Sequence, residues 1–299
     1  MKSFVYKVVL FIVIIIATDT VFGIMMRYIS AHAKGGDSAR EYYIFNKMHD
    51  DILIMGSSRG MYNYDADMIR DSMHLSCYAC GFEGMGIITN YALYCRIMKR
   101  HHPRYIIYDV YYKTDLMQHK DNSTYLSLLK PYHSDNTVKE MMNRIDSKQK
   151  FKTLSDFYNY NSVFLQMIQD CIHPTLSAGN NGYRPIDRTS FHRLKEEETY
   201  THYDYDTLKI YYLERLIKES KGKTKLIFVI SPFFRITKGI DYQALQALCD
   251  KYDVSLLNYS SYGWFGHDNS LFADNIHLNR KGAEVFSKVI IKELKQYKK

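Results

Sequence analysis

Short apolar segments that alternate with segments of helical periodicity are the feature that most limits the folds open to this chain. The apolar segments are Asp51–Met55, His74–Tyr78, Arg104–Val110, Lys225–Ser231 and Val254–Asn258. The helical pattern occurs in Ala66–Met73, Ile87–Arg100, Leu208–Ser220, Tyr242–Tyr252 and Asn279–Tyr297. Strands that alternate with helices form parallel sheets, because each crossover helix returns the chain to the same edge. The sequence therefore predicts an α/β fold with a flavodoxin-like, three-layer parallel sheet of five strands.

The alternation stops between about residues 111 and 207. This stretch is polar and rich in tyrosine, and it is helical where any pattern is visible. We interpret it as a mostly helical insertion that caps one edge of the sheet. It interrupts an α/β domain that is predicted to cover residues 51–299, which is long enough to bury one sizeable core. Residues 29–50 are predicted to be a linker with helical parts.

The first 28 residues are predicted to cross a membrane. Phe4–Met26 is almost entirely apolar and is about as long as a bilayer-spanning helix. Lys2 and Lys7 lie at its start, and the positive-inside rule then places the amino end in the cytoplasm and the rest of the chain outside. Asp19 is unfavourable inside a bilayer, but it lies towards the outer end of the segment. The alternative is a cleaved signal peptide, for which Val21-Phe22-Gly23 is a weak cleavage signature.

Composition excludes some classes of function. The net charge is +8 and the basic residues are thinly spread, apart from Lys99-Arg100-His101-His102, so nucleic acid is not an expected partner. Five irregularly spaced cysteines do not form a disulfide framework. Cys77 and Cys80 form one CxxC pair, but no second pair completes a zinc site. We expect both thiols to be buried, with thiol redox chemistry as the alternative.

A serine, an aspartate and a histidine follow the first and last predicted strands. Ser57 and Ser58 lie in the turn after the first strand, and Asp274 and His277 lie between the last strand and the closing helix. The carboxyl ends of parallel strands meet at one edge of a sheet, where ligands bind. We therefore expect Ser58 to be a nucleophile, His277 its general base, and Asp274 the group that orients the imidazole.

Each of these residues also has a structural interpretation. Ser57 and Ser58 are favoured at helix N-caps, and Asp274 is favoured near a helix N-terminus. His267 is an alternative base close to the same loop. Arg59 is expected either on the solvated surface or in contact with a substrate carboxylate.

These motifs resemble a known family. Ile54-Met55-Gly56-Ser57-Ser58 resembles the first block of the SGNH/GDSL hydrolases, in the Gly-Ser-Ser form of membrane-anchored, extracytoplasmic relatives. Asp274-Asn275-Ile276-His277 is similar to the last block, Asp-x-x-His, and Gly81 and Gly84 look like the second block. The resemblance extends over about Asp51–Lys292, except for the insertion.

The resemblance implies an esterase or an O-acyltransferase that acts on acyl esters, acetyl esters above all, of an envelope or surface polysaccharide. It implies no metal and no cofactor, an extracytoplasmic location, and the option of a membrane-bound acyl-transfer partner. Ser58 and Gly81 would donate backbone N–H groups to the oxyanion, and Ser57, Arg59, Gly84 and Asp109 are candidate substrate-binding residues. The family's third block carries an asparagine that this chain lacks, since its third strand ends Tyr108-Asp109-Val110-Tyr111. A catalytically weak accessory protein that binds cell-surface polysaccharide is therefore the alternative.

Overall fold

The fold is described from a computed structural model, which describes residues 1–173, 181–189, 203–234, 240–261 and 263–297. Two compact units divide the chain. The helical unit comprises Met1–Tyr43 with Asp121–Ala178, and the α/β unit comprises Ile44–Lys120 with Gly179–Lys299. The predicted boundaries at residues 28, 50, 111 and 207 stay a prediction.

Helices and strands are numbered here in chain order. The α-helices are α1 (Lys2–His32), α2 (Gly36–Asn46), α3 (Ser58–Tyr62), α4 (Ala66–Met73), α5 (Ile87–Met98), α6 (Tyr112–Asp115), α7 (Asn136–Ile145), α8 (Gln149–Lys152), α9 (Asp156–Tyr160), α10 (Phe164–Ile172), α11 (Thr207–Ser220), α12 (Gln243–Tyr252) and α13 (Arg280–Tyr297). The strands are β1 (Ile52–Gly56), β2 (Cys77–Ala79), β3 (Tyr105–Asp109), β4 (Lys225–Ile230) and β5 (Ser255–Asn258). Short 3-10 helices cover Asn122–Leu126, Lys130–Tyr132, Phe265–His267 and Asn269–Leu271.

The α/β unit contains one five-stranded sheet, and all of its neighbouring strands are parallel. The spatial order is β2-β1-β3-β4-β5, so the direction of the connections reverses between β1 and β3. Gly56 at the end of β1 lies in register with Asp109 at the end of β3. Ligands of such sheets bind outside the carboxyl ends of strands at this reversal. The α/β class and the parallel sheet predicted from the alternating segments are confirmed.

Helices cover the sheet because its central strands are apolar on both faces. Ile52 and Ile54 of β1 join one buried cluster with residues of α4 and α13, among them Ile69 and Phe286. Side chains alternate along a strand, so Leu53 and its equivalents point to the opposite face, where α5 contacts β1 and α11 contacts β4. The result is a buried sheet between two layers of helices.

One strand differs from the sequence-based expectation in its bounds. The second strand begins only at Cys77, because His74 adopts a left-handed conformation (φ 54°) and terminates α4. Residues 29–50, predicted to be a linker with helical parts, contain the end of α1 at His32 and the whole of α2.

The helical unit begins with α1, the one described helix that is long and apolar enough to cross a membrane. Asp19, the residue that is unfavourable in such a helix, accepts hydrogen bonds from Ser155 Oγ (2.7 Å), Asp156 N (2.8 Å) and Phe157 N (2.9 Å). These donors surround the start of α9, whose first N–H groups have no partner within the helix. The Asp19 carboxylate of α1 therefore caps the start of α9.

Candidate active site

The turn after β1 presents Ser58 at the carboxyl edge of the sheet. Gly56 has φ 133° and lies so close to β3 that an added Cβ would be 2.6 Å from the Asp109 carbonyl oxygen, so glycine is required there. Ser57 then caps α3, with its Oγ 3.5 Å from the Arg59 N–H. This capping confirms the structural interpretation for Ser57 and leaves Ser58 as the first helical residue. The Ser58 hydroxyl is partly exposed, whereas Ser57 is buried.

The loop that carries His277 is closed on itself. Phe272 and Leu278 form an antiparallel bridge, and the Ala273 N–H donates to the His277 carbonyl at 2.9 Å. Asp274 Oδ1 accepts the N–H groups of Ile276 and His277, each at 2.9 Å. An aspartate commonly stabilises a tight turn by accepting N–H groups two or three residues ahead. One carboxylate oxygen therefore shapes the loop, and the other remains for the imidazole.

Ser58, His277 and Asp274 form a continuous chain of polar contacts. Ser58 Oγ lies 2.7 Å from His277 Nε2, and His277 Nδ1 lies 2.8 Å from Asp274 Oδ2. Because Nδ1 faces a carboxylate, it carries the proton of the neutral ring, and Nε2 is then the acceptor for the serine hydroxyl. Residues 219 positions apart in sequence thus meet as the sequence predicts.

The electrostatics of the Asp274 carboxyl keep it ionised. Partial burial favours the neutral acid, but the hydrogen bond and charge interaction with His277 outweigh it, helped by the N–H groups of Ile276 and His277. The net effect is a pKa of Asp274 below the ordinary value for aspartate. An ionised carboxylate at this position stabilises the imidazolium that forms when His277 takes a proton.

A fully buried cation, the Arg59 guanidinium, directly follows Ser58 in the chain. Arg59 has no exposed surface, and its Nε donates to Asp109 Oδ1 at 3.1 Å. The guanidinium also donates to the carbonyl and the hydroxyl of Ser231 and packs over the Phe233 ring at 4.0 Å. Burial opposes this charge, but the Asp109 carboxylate more than offsets it, so the pKa of Arg59 rises. A buried charge of this kind is tolerated only when it is paired and fully hydrogen-bonded.

The same group of buried side chains holds the histidine loop. Arg59 Nη1 donates to the Ile276 carbonyl at 3.3 Å. Asn63 Oδ1 accepts the Leu278 N–H at 2.9 Å, and Asn63 Nδ2 donates to Ser231 Oγ at 2.9 Å. The residues on both sides of His277 are therefore connected to the segment that carries Ser58. The sequence reveals no role for Asn63 or Ser231, because neither belongs to a recognisable motif.

Asp109, the residue predicted to stand in place of a third-block asparagine, ends β3. Its carboxylate has no exposed surface, accepts from Arg59 Nε and accepts from the Tyr64 hydroxyl at 2.6 Å. Burial raises the pKa of Tyr64, and Asp109 raises it further, so the phenol keeps its proton and donates it. Arg59 and Asp109, two of the candidate substrate-binding residues, thus face each other and not the solvent.

The two glycines of the second block differ in environment. Gly81 packs against the nucleophile turn: an added Cβ would lie 2.8 Å from both Gly60 C and Met61 N and would also overlap the Ser57 carbonyl oxygen. Gly84 has φ 67° in an exposed turn, and no atom lies within 4 Å of an added Cβ. The structure therefore brings Gly81, and not Gly84, to the backbone of the Ser57–Ser58 turn.

An open cleft of about 510 Å³ borders the triad. Its described lining residues are Tyr62, Glu83, Pro185, Ile186, Asp187, Arg188, Asp274 and His277. The Tyr62 ring stands edge-on to the imidazole, with centroids 5.3 Å apart, and its hydroxyl donates to Glu83. Residues 185–188 come from the region predicted to be an insertion, and the Asp187–Arg280 ion pair fixes them to the start of α13. Sequence motifs did not identify this side of the cleft.

The other candidate residues are not brought to Ser58. His267 lies exposed in a 3-10 helix, and His277 makes the contact with the serine. Cys77 and Cys80 are buried free thiols, as expected, and burial raises the pKa of Cys77 well above its ordinary value. A protonated, inaccessible thiol is a poor redox group.

The sequence matches no protein-family model and no curated protein.

Proposed function

We propose that this chain is a serine esterase or O-acyltransferase whose nucleophile is Ser58. The observation that carries the proposal is the 2.7 Å contact between Ser58 Oγ and His277 Nε2, backed by the 2.8 Å contact from His277 Nδ1 to Asp274. A serine hydroxyl is a weak nucleophile unless a base removes its proton during attack. This arrangement supplies the base, in the tautomer that accepts a proton from Ser58.

The proposed reaction has two halves. Ser58 Oγ attacks the ester carbonyl while His277 takes its proton, and the imidazolium then protonates the departing alkoxide. The Ser58 and Gly81 N–H groups bind the oxyanion of the tetrahedral intermediate. The acyl-enzyme then reacts with water or with a sugar hydroxyl, which gives hydrolysis or transfer. His277 removes the proton from the attacking oxygen and returns it to Ser58 Oγ as the bond between the acyl group and Ser58 breaks.

The fold supports the same interpretation. The strand order 2-1-3-4-5 is that of flavodoxin-like sheets, in which ligands bind at the reversal between the first and third strands. Ser58 follows β1 directly, and the loop that carries His277 meets it at this edge. We therefore propose that the α/β unit is similar to the SGNH/GDSL hydrolases in fold, with blocks at Gly56–Ser58, Gly81 and Asp274–His277.

We also propose that α1 anchors the protein in a membrane, with the α/β unit outside the cytoplasm. Lys2 and Lys7 at its amino end favour this orientation. Asp19 caps α9, so cleavage near Gly23 would remove the cap from that helix, and this favours an uncleaved anchor over a signal peptide. The substrates that fit this location are acyl esters of envelope or surface polysaccharides, and a membrane-bound acyl-transfer protein is a fitting donor.

A fluorophosphonate probe tests the proposed nucleophile without knowledge of the natural substrate. We expect the full-length chain to be labelled and to hydrolyse an aryl acetate, and we expect Ser58→Ala and His277→Ala to lose both properties. Ser270→Ala and His267→Ala are matched controls on the two 3-10 helices between residues 265 and 271, and they should behave as wild type. Equal labelling of wild type and Ser58→Ala would refute the proposal.

One observation favours a second candidate, an accessory protein that binds polysaccharide without turnover. Asp109, in the position of the family's oxyanion-binding asparagine, is engaged by Arg59 and Tyr64, so no side-chain amide acts as a donor there. Under this alternative, the chain would bind acetylated xylan in a pull-down and would not react with the probe.

A further inference from the structure

Three large apolar side chains stand exposed on one short stretch of the helical unit. Phe151, Leu154 and Phe157 are 66%, 80% and 47% exposed, although each belongs to or flanks the ordered helices α8 and α9. Contiguous apolar side chains on a surface mark a place where protein or lipid binds. We call residues 148–157 the docking segment.

Contacts with α1 fix the position of the docking segment. The Asp19 carboxylate accepts the N–H groups of Asp156 and Phe157, and the Phe157 ring stacks on Phe22 with centroids 4.2 Å apart. Gly23 approaches Asp156 so closely that any side chain there would overlap its carboxylate. The start of α9 therefore lies beside α1 at the level of residues 19–23.

The exposed apolar residues of α1 show how deep residues 19–23 would lie in a bilayer. One face carries Val21, Ile24 and Met25, which are exposed and apolar, while Phe22, Gly23 and Met26 on the opposite face are buried or partly buried. From Phe4 to Met25 an α-helix rises about 32 Å, which matches a hydrocarbon layer of roughly 30 Å. Asp19 precedes Met25 by six residues, or about 9 Å. The level of the docking segment is thus inside the outer boundary of the hydrocarbon layer.

Charges on the docking segment fit the neighbouring headgroups. Lys148, Lys150 and Lys152 are exposed and surround Phe151, and Lys150 Nζ lies 4.8 Å from the centroid of that ring. Long basic side chains extend from apolar surroundings to the phosphate layer. On α1, the first ionisable residue after Asp19 is Arg27, which pairs with Asp156 at 3.1 Å and is half exposed.

We propose that the docking segment is a second membrane-binding element, in which Phe151, Leu154 and Phe157 enter the outer leaflet and Lys148 and Lys150 bind anionic headgroups, while Lys152 pairs with Asp146 at 2.9 Å. The proposal requires α1 to cross the bilayer and is independent of the chemistry of Ser58. It also accounts for Asp19, since a carboxylate at this depth is unfavourable unless donors satisfy it, and the start of α9 supplies them.

Tryptophan fluorescence tests the proposal on the full-length chain in phosphatidylcholine–phosphatidylglycerol vesicles. The only native tryptophan is removed by Trp264→Phe. Leu154→Trp then reports on the docking segment, and Ile172→Trp is the matched control. Ile172 is also apolar and 63% exposed, but it ends α10, where Asp170 accepts the Ser38 N–H beyond the end of α1.

Lipids brominated on their acyl chains should quench Leu154→Trp roughly threefold more than Ile172→Trp, because interfacial side chains reach about 5–10 Å into the acyl boundary. Acrylamide in the water should show the opposite order. Equal acrylamide quenching of the two variants would overturn the proposal and leave this surface free for a protein partner. Ile12→Trp in α1 reports separately on whether α1 crosses the bilayer. Strong quenching by brominated lipid at position 12 with none at position 154 would disprove the docking segment and leave the membrane anchor in place.

The lysines have their own test. In the Leu154→Trp background, Lys148→Glu with Lys150→Glu should lower quenching by brominated lipid in anionic vesicles and change it little in neutral vesicles. Unchanged quenching in anionic vesicles would overturn the assignment of headgroup binding to these side chains. A far-UV circular dichroism spectrum equal to that of the wild type shows that each variant is folded.

Discussion

Replacement of Asp274 by asparagine should remove almost all nucleophilicity of Ser58 while leaving the loop intact. In the wild type, Asp274 Oδ1 accepts two backbone N–H groups and Oδ2 faces His277 Nδ1. The amide of Asp274→Asn has only one oxygen, and the two N–H donors hold it at the Oδ1 position. Its NH₂ group then faces Nδ1, and a donor cannot stabilise another donor.

The expected consequence is a change of tautomer. His277 moves its proton from Nδ1 to Nε2, so Nδ1 can accept from the new amide. Nε2 then becomes a donor and can no longer take the proton of Ser58, although the three side chains keep their positions. The equivalent change in a serine protease lowers the rate about 10⁴-fold, which corresponds to roughly 5.5 kcal/mol of transition-state stabilisation at 1.36 kcal/mol per tenfold.

The assay is the second-order rate constant for fluorophosphonate labelling of Ser58, followed with aryl acetate turnover. Asp268→Asn is the matched control, because Asp268 also caps a short helix of this region, through the Ser270 N–H at 2.9 Å, without contact to the imidazole. We expect the control to label at the wild-type rate. Labelling of Asp274→Asn within tenfold of wild type, with a wild-type melting temperature, would refute the assignment of Asp274 as the group that sets the tautomer.

Three further outcomes follow from buried groups and close contacts. Asp109→Leu should lower the free energy of unfolding by about 3–5 kcal/mol, because it leaves the Arg59 charge buried and unpaired. The double variant with Arg59→Met should recover much of this free energy. Equal instability of the single and double variants in urea melts would contradict the pairing argument. Gly81→Ala should slow labelling of Ser58 by roughly 10²–10³, because the added Cβ overlaps the Ser57–Met61 backbone and displaces the Gly81 N–H from the proposed oxyanion site, whereas Gly84→Asn, in open space at a left-handed position, should label normally. Burial raises the pKa of Asp115 to about 6. Between about pH 4 and pH 6 the folded state therefore holds a proton on Asp115 that the unfolded state has lost. Wild-type stability relative to Asp115→Asn should therefore fall by roughly 3 kcal/mol as the pH rises from about 4 to 6, and a pH-independent difference in urea melts would contradict the burial argument.

The sheet was predictable because its signal is local. Each strand is an apolar run bounded by turn residues, and crossover helices between such runs leave few arrangements other than a parallel sheet. The meeting of Ser58 with His277 also follows from topology, since both come after strands whose carboxyl ends share one edge. The start of β2 at Cys77 was not predictable in this way, because the left-handed conformation of His74 leaves no motif in the sequence.

The contacts of Arg59 and Asp19 escaped prediction for a different reason. Arginine is mostly a surface residue, so sequence alone favours exposure, yet Arg59 is buried because Asp109, 50 residues away, neutralises it. Asp19 obtains its partners from residues 136–138 positions later in the chain. In both cases the partner is distant in sequence, and no local pattern links the two residues, so only the folded chain reveals the pair.

The Arg59–Asp109 pair explains how this edge of the sheet tolerates an aspartate beside a proposed oxyanion site. Asp109 is in register with Gly56, two residues before Ser58, and a free carboxylate there would repel a developing negative charge. Arg59 neutralises it at 3.1 Å, and the same guanidinium binds the Ile276 carbonyl, one residue before His277. The side chain at the end of β3 is therefore used to hold the histidine loop and does not face the proposed oxyanion site. Because the proposed site then depends on backbone N–H groups, displacement of the Gly81 N–H in Gly81→Ala should slow labelling at the upper end of the stated range.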